Sequence, residues 1–357
     1  MMTPTLATLI TELQHQGLLT AREPRQIERM LTHQPLETAH ASPWFISVFI
    51  GLSAWLASLF FLGFIAFLGV IDTPETAIVV GGLLVLMTSV LAEMPPSSLF
   101  LNQVTLVGNL SGQLLLIGGI GFKHDLITAA AATLMTECLL IVLYPQEIRR
   151  FLAILIATVA VLVLCYEFRI VWGVHALIFI LATGAVVCWL GESYYQSGVL
   201  KHLYQPLGYG CVVALWAVLL LSIMPQHYQL MRLTHWYPST LGLLSLLLIT
   251  ELFILRYYQI SWRSHSSLII LMASCVVALL LSSAPGVIAA VLIILLGFQR
   301  GQRPLLGLAF IFLSLFFMSY YYYLDITLLM KSLSLVIAGA LLLTLRFFLK
   351  SNLLLST

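Results

Sequence analysis

Continuous apolar runs of helix length, separated by short polar segments, fill the chain from Pro43 onward. A helix needs about 20 apolar residues to cross the hydrocarbon core of a bilayer, and most of these runs approach that length. Strands of a membrane β-barrel would instead alternate apolar and polar residues over short segments. The pattern therefore predicts an all-α, polytopic membrane protein with about twelve spanning helices, in a range of about ten to twelve.

The predicted spans are bounded by segments that contain proline, glycine or charged residues. They are Phe45–Ile71, Ala77–Ala92, Val104–Phe122, Leu126–Tyr144, Phe151–Tyr166, Ile170–Gly191, Leu207–Met224, Ser239–Leu255, Ser267–Ser283, Val287–Phe298, Pro304–Tyr323 and Ile326–Leu349. The Ser267–Phe298 stretch is the least regular. Ala284, Pro285 and Gly286 fit either a tight turn between two short spans or a kink in one long span, and a short apolar segment also fits a re-entrant helix.

The first 43 residues have a different pattern, with apolar residues at helical spacing among polar ones. Thr20 and Glu23 form a capping-box sequence, and Gly17 fits the end of the helix before it. We expect a short cytoplasmic helical hairpin at 1–43, a transmembrane domain at 44–350 and a cytoplasmic tail at 351–357. The hairpin is too small to hold a core alone, so it rests on the membrane or the cytoplasmic loops, or docks a partner.

Composition excludes a water-soluble protein and makes the lipid bilayer the expected surroundings. Hydrophobic residues make up 61% of the chain and charged residues only 8%, with a mean hydropathy of +1.05. Soluble domains carry about 25% charge to cover their surface. The net charge of +2 gives no footprint for nucleic acid. The first residues lack a basic region followed by an apolar core, so no signal peptide is expected.

The basic residues are distributed unequally over the predicted loops. With the N-terminus inside, the assigned cytoplasmic segments hold twelve of the sixteen lysines and arginines, Arg149 and Arg150 among them. The outer segments hold Lys123, Arg169, Arg232 and Lys331. Cytoplasmic segments of membrane proteins carry the excess of positive charge, so this distribution favours twelve spans with both termini in the cytoplasm.

Two carboxylates inside predicted spans are the main candidates for function. Glu137 lies near the middle of the fourth span, and Glu251 lies further along the eighth. An ionisable group in a span costs about 2.5–3.5 kcal/mol at the helix centre, so it marks a functional hypothesis. The structural alternative is a carboxyl group that is protonated and hydrogen-bonded across a helix interface. If the two spans adjoin, the carboxyl groups share a proton or a cation.

Polar residues in the third and sixth spans add to the candidate site. Asn109 and Gln113 are four residues apart and continue a stripe that begins at Asn102. Such a stripe either lines a solute path or supplies hydrogen bonds between helices beside Gly108, Ser111 and Gly112, and the second interpretation is favoured. His175 in the sixth span is either a proton relay or, more commonly, a satisfied interior histidine.

The sequence lacks the motifs of nucleotide-binding and hydrolytic sites, and it predicts neither a cofactor nor a metal site. The five cysteines all lie inside apolar runs, without a CxxC or a Cys/His cluster. Buried, inert thiols are the favoured interpretation of these cysteines, against a disulfide or a metal site.

The segment YYYYLDITLLMKS, which begins at Tyr320, is distinctive. With the overall length, the N-terminal hairpin and the serial spans, it resembles an uncharacterised bacterial family of multi-pass membrane proteins, a domain of unknown function. Genes of this family often neighbour those of small membrane-anchored proteins with a GDYXXLXY motif. The resemblance implies the bacterial inner membrane and a GDYXXLXY-type partner. It also implies a role for Tyr322, Tyr323, Lys331 and Ser332 beyond the snorkelling of Lys331 toward the interface.

Three classes of function remain open. A transporter-like or channel-like protein is supported by the many spans and the intramembrane carboxylates. A non-transporting subunit of a membrane complex is supported by the gene pairing that the resemblance implies and by the helical N-terminus. An intramembrane enzyme is the weakest of the three, since no nucleophile–base pair is recognisable in the sequence.

Overall fold

The computed structural model describes most of the chain after the first 43 residues. The described residues are 44–69, 71–93, 99–144, 146–191, 203–222, 236–259, 265–280, 284–323, 327–330, 332–333, 336–337, 339–340 and 343–344. The predicted hairpin at 1–43 and the tail at 351–357 lie outside them. All regular structure in the described residues is helical, which confirms the all-α class.

Eleven helices follow one another along the described part of the chain. They are α1 (Trp44–Phe67), α2 (Pro74–Glu93), α3 (Leu99–Lys123), α4 (Leu126–Leu143), α5 (Glu147–Glu167), α6 (Val171–Leu190), α7 (Tyr204–Leu221), α8 (Tyr237–Tyr257), α9 (His265–Leu280), α10 (Pro285–Arg300) and α11 (Arg303–Tyr323). Each overlaps one of the first eleven predicted spans, because long uninterrupted apolar runs and the polar breaks between them are strong signals.

Seven of the described helices, α2–α8, are long enough and apolar enough to cross a membrane. The apolar parts of α9, α10 and α11 are shorter. Every described residue from 328 to 344 is also helical, within the predicted twelfth span. The chain is therefore an integral membrane protein of several helices.

The helices pack as two bundles joined by α5. In the N-terminal bundle, α3 contacts α1, α2 and α4, and α4 contacts α5. In the C-terminal bundle, α6, α7, α8, α10 and α11 share a common core, and α8 contacts α6, α9 and α10. Because α5 also contacts α6 and α7, it belongs to both bundles.

Small residues let α2 and α3 approach closely along their length. A Cβ atom added to Gly81 would meet the backbone of Gly112 and Leu116, and one added to Gly112 would meet the carbonyl oxygen of Gly81. Helices in lipid have no hydrophobic drive toward each other, so close backbone contact of this kind supplies much of their attraction. This interface brings the polar side chains of α2 and α3 within reach of one another.

The interior of the C-terminal bundle is apolar and centred on α10. This helix contacts α6, α7, α8 and α11, and its residues from Pro285 to Ala290 are all buried. Trp216 on α7 stacks on Phe312 of α11, with ring centroids 4.8 Å apart. The Ser267–Phe298 stretch thus forms two helices, and Ala284 before α10 has a non-helical backbone, with φ −127° and ψ 64°. Since protein surrounds α10 on several sides, its apolar sequence reflects burial in protein as much as contact with lipid.

Candidate functional site

One face of α3 carries the polar residues that build the site. Asn102, Thr105, Asn109 and Gln113 follow at intervals of three or four residues, so a helix places them in one row. Asn102 is partly buried, and the other three are almost completely enclosed, with exposed fractions of 2% or less. The row begins near the start of α3 and reaches its middle.

A fully buried ion pair faces this row. The helices α4 and α5 are joined by a short turn, so they form an antiparallel hairpin and Arg149 in the first turn of α5 reaches back along α4. Its Nη2 atom donates a hydrogen bond to Oε2 of Glu137 over 2.8 Å, and both side chains have an exposed fraction of 0%. The expectation that Glu137 is buried in protein is confirmed. Two opposite charges taken from water together remain stable only when they are well paired.

Asn109 connects the ion pair to two further helices. Its Oδ1 atom accepts a hydrogen bond of 2.9 Å from Nε of Arg149. Its Nδ2 atom lies 3.3 Å from the hydroxyl oxygens of Thr88 and Ser89 on α2, and 3.5 Å from the carbonyl oxygen of Val85. Asn109 therefore holds the guanidinium through a nitrogen that Glu137 does not use.

A second polar layer lies closer to the α4–α5 turn. Nε2 of Gln146 donates to the carbonyl oxygen of Asn102 over 3.2 Å and to the hydroxyl of Thr105 over 3.3 Å. Tyr144 is completely buried beside this layer. Arg150 points elsewhere, and its Nε donates to the carbonyl oxygen of Ile141 over 3.1 Å. The polar contacts thus continue from the turn inward to Glu137.

Some buried polar atoms of this site have unused hydrogen-bonding capacity. We define the charged cluster as Asn109, Gln113, Glu137, Tyr144 and Arg149. Among the described residues, no hydrogen bond of normal geometry reaches Nη1 of Arg149, Oε1 of Glu137, Nε2 of Gln113 or the Tyr144 hydroxyl. The Gln113 amide does lie beside the Glu137 carboxylate. Buried polar groups are normally satisfied, so these four atoms around one ion pair require an explanation.

Glu251 lies in a separate environment. It is largely buried on α8, and the Ser274 hydroxyl of α9 donates to its Oε1 over 2.6 Å. Its Oε2 has no hydrogen bond within the described part of the chain. The main neighbours of α4 are α3 and α5, whereas those of α8 are α6, α9 and α10. The structure therefore gives Glu137 and Glu251 different partners, and the described residues do not form the two-carboxylate site.

His175 connects two helices of the C-terminal bundle. Its Nδ1 lies 2.7 Å from the hydroxyl oxygen of Ser239 on α8, and both residues are buried. The Trp172 ring lies beside the imidazole in a tilted arrangement, at a centroid distance of 5.7 Å. An enclosed contact of this kind between spans acts as a hydrogen-bonded tie between helices.

The distinctive C-terminal segment is described only in part. Tyr322 and Tyr323 end α11, and their side chains lie outside the described residues, as does Lys331. Ser332 is exposed, and its hydroxyl donates to the carbonyl oxygen of Leu329 over 3.0 Å. A role for this segment stays a prediction.

The described residues contain no group of three or more histidine, cysteine or acidic side chains that could hold a metal ion. All five cysteines are free thiols. The side chains of the charged cluster themselves supply ion pairing, hydrogen bonding and a carboxyl group that can carry a proton.

Sequence reasoning found Glu137, Asn109 and Gln113 but missed Arg149, which it counted only as a cytoplasmic basic residue. The hairpin carried the missing signal. Glu137 lies about 12 Å along the axis before the turn and Arg149 about 6 Å after it, at 1.5 Å per residue. The long arginine side chain spans most of the remaining distance of about 6 Å along the axis. An arginine in the first turn of the second helix is therefore a natural partner for a glutamate two helical turns before the end of the first.

The fold and the charged cluster define a polytopic α-helical membrane protein with a buried ion pair in its N-terminal bundle. The chain belongs to the family described as domain of unknown function DUF4401, whose model matches residues 43–351. No curated protein and no solved structure matches the chain.

Proposed function

We propose that the protein is a membrane transporter whose N-terminal bundle carries a small polar solute past the charged cluster. The observation that carries this proposal is the completely buried Glu137–Arg149 pair with its unsatisfied neighbouring donors and acceptor. Charges inside a membrane protein are expensive, and they mark solute and proton pathways more often than they stabilise the fold. We place Glu251 and His175 outside this centre, as ties between helices of the C-terminal bundle.

The polar row on α3 supports a route to this centre. Asn102 and Gln113 are separated by about 16 Å along the helix axis, and Thr105 and Asn109 lie between them. Since Glu137 and Arg149 have no exposed surface, this conformation is the closed one. Separation of the α4–α5 hairpin from α3 would open the row to water.

We further propose the bacterial inner membrane, about twelve spans and both termini in the cytoplasm. The unequal distribution of basic residues supports this topology, which makes the α4–α5 turn a cytoplasmic turn. Reporter fusions at 94–98, 192–202 and the C-terminus are expected to report the cytoplasm. Fusions at 223–235 are expected to report the periplasm. A periplasmic C-terminus would refute the topology.

Transport is tested with the full-length protein in liposomes. After an osmotic upshift with a test solute, liposomes reswell as fast as the solute enters, which light scattering records. The panel consists of lactate, phosphate, glycine, ethanolamine and glycerol, with proton entry followed separately by an internal pH dye. We expect faster entry of at least one solute than in empty liposomes, and loss of this entry in Arg149→Met. Equal rates with and without protein across the whole panel would refute the proposal.

A second candidate is a non-transporting subunit of a membrane complex. The observation that favours it is the apolar core of the C-terminal bundle, where leucine, isoleucine and aromatic side chains pack around α10. A small membrane-anchored protein with a GDYXXLXY motif is the proposed partner. Stoichiometric co-purification of such a protein in mild detergent, together with liposomes that carry no panel solute, would favour this candidate over the transporter.

A further inference from the structure

The Arg149 guanidinium presents a free donor edge inside the N-terminal bundle. Nε is held by Asn109 and Nη2 by Oε2 of Glu137, while Nη1 has no hydrogen bond to a described residue. The Tyr144 hydroxyl lies beside Thr105 and the Gln113 amide beside Glu137. Neither makes a hydrogen bond of normal geometry to a described residue, so both remain donors that a ligand could engage. A carboxylate has two oxygens and about four lone-pair sites, which match such a group of donors.

The charges around Glu137 restrict what this edge can bind. Within the described part of the chain, α3 contributes the amides of Asn109 and Gln113 and the Thr105 hydroxyl beside Tyr144. The end of α4 contributes the Tyr144 phenol, and α5 contributes the Arg149 guanidinium. Arg150, also on α5, is directed to the Ile141 carbonyl, and Glu147 lies beside Arg150. Arg149 and Glu137 thus balance each other, and an added anion would leave a net negative charge in a medium of low dielectric.

We propose that Arg149 binds a small monocarboxylate and that Glu137 takes up one proton as the anion binds. The proton comes from the water on the open side and adds to the glutamate carboxylate, so the bound state keeps the net charge of the empty site. Release of the anion on the other side restores the ion pair and returns the proton there. This inference rests on the proposed transporter function and names its substrate class and its coupling ion.

Asn109 is the positioning residue of this mechanism. The contacts of its amide with Thr88 and Ser89 fix its side chain against α2. Its hydrogen bond to Nε of Arg149 stays in place while the terminal nitrogens of Arg149 release the glutamate and bind the anion. The guanidinium therefore keeps its orientation through the exchange. Asn109→Ala is expected to weaken anion binding while the dependence on pH remains.

The first test measures binding without transport, through the thermal stability of the purified full-length protein in detergent with lactate as the probe. A ligand that binds only the folded state raises its melting temperature. For the wild type we expect a larger rise at pH 6 than at pH 8, because uptake of one proton strengthens apparent binding by up to about tenfold per pH unit. Glu137→Gln is neutral at every pH, so lactate is expected to raise its melting temperature equally at both. Arg149→Met is expected to give no rise.

Glu251→Gln is the matched control, since it makes the same substitution at another buried carboxyl group. It is expected to keep the wild-type dependence on pH. Calorimetry of the wild type in two buffers of different ionisation enthalpy gives the proton count directly, so the test does not depend on the variants folding. About one proton per lactate is expected. A count of zero, or a lactate effect that survives in Arg149→Met, would overturn the inference.

The liposome panel separates failure of this inference from failure of the proposed function. Entry of lactate together with protons supports both. Entry of phosphate, ethanolamine or glycerol without lactate overturns the carboxylate site and leaves the transporter proposal standing. Entry of glycine without lactate overturns the coupling of an anion to a proton, because glycine has a carboxylate but no net charge. Entry of no solute, with no lactate binding, overturns both.

Discussion

At the scale of single residues, the Glu137–Arg149 pair is distinguished by its complete burial. Both side chains are fully enclosed, unlike the exposed pair between Lys123 and Glu75, whose partners are 40% and 57% exposed. Exposed pairs contribute little, with a median below about 1 kcal/mol. Removing one partner of a buried pair costs much more free energy of unfolding than the intact pair contributes. The reason is that the remaining charge stays unpaired in an apolar interior.

A double-mutant cycle tests this coupling. Glu137→Gln or Arg149→Met alone is expected to lower the free energy of unfolding by about 3–5 kcal/mol, since each leaves a buried charge unpaired. The double variant is expected to be closer to the wild type than either single variant. Thermal or denaturant unfolding of the purified protein in detergent, without added anions, measures all four proteins. Single effects that simply add up in the double variant would show that the two side chains do not form a pair.

Asp125 caps the N-terminus of α4 outside the membrane-spanning segments. Its Oδ1 accepts a hydrogen bond of 2.7 Å from the Thr128 backbone N–H. The Thr128 side chain, together with this backbone bond, holds the pKa of the carboxyl group below its ordinary value. A lowered pKa in the folded state means that the stabilisation is complete above the ordinary pKa and is lost as the pH falls through the lowered one.

We therefore expect Asp125→Ala to lower the melting temperature at pH 7. The difference from the wild type is expected to shrink below about pH 4, where the free carboxyl group becomes protonated. Asp125→Asn keeps a capping acceptor, so it is expected to lose less. Melting curves of the three proteins from pH 3 to pH 7 check this. A difference that does not change with pH would exclude the charged cap as its cause.

At the scale of elements, helices pack closely where a side chain is missing. Gly286 lies in the first turn of α10, and a Cβ atom placed there would overlap the ring of Phe316 on α11. Phe316 is itself only 1% exposed, and Phe312 lies beside it at a centroid distance of 5.7 Å. The ring therefore has no free space in which to move away.

Gly286→Ala is expected to destabilise the protein by about 1–3 kcal/mol through overpacking. Gly307 in α11 is the matched control, because a Cβ atom there meets nothing within 4 Å. Gly307→Ala is expected to be neutral or to stabilise by up to about 1 kcal/mol, since alanine favours a helix over glycine. Unfolding measurements on both variants test whether only Gly286→Ala is destabilised. Equal effects would show that contact with Phe316 does not limit the α10–α11 interface.

At the scale of the whole molecule, the two bundles carry their buried carboxylates separately. Glu137 belongs to the network of α2–α5, and Glu251 is bonded to Ser274 between α8 and α9. Substitutions at sites without shared partners add within about 0.3–0.5 kcal/mol. The free-energy change of the double variant Glu137→Gln/Glu251→Gln is expected to equal the sum of the two single changes within that range. A coupling above about 1 kcal/mol would indicate that the carboxylates communicate through α5.

The sequence predicted much of the architecture because each segment that crosses the bilayer must be apolar over its length, and such segments are recognisable in the chain. Continuous apolar runs predicted the helices α1 to α11, since a spanning segment must be apolar over its length and must satisfy its backbone internally. Glu137 was recognisable as buried for the same reason, because a carboxylate facing lipid is expensive. Asn109 and Gln113 followed from their spacing on one face of α3.

Only the tertiary structure decided which of these residues meet. A hydropathy pattern reports whether a residue faces water or an apolar environment, and it reports nothing about which helices are neighbours. Thus Arg149 counted as a loop charge until the α4–α5 hairpin placed it against Glu137. The sequence allows Glu251 to share a site with Glu137, whereas the structure packs α8 with α6, α9 and α10, away from α4. Helix pairing in lipid depends on the shape of small-residue surfaces and on individual hydrogen bonds, and these become definite only in three dimensions.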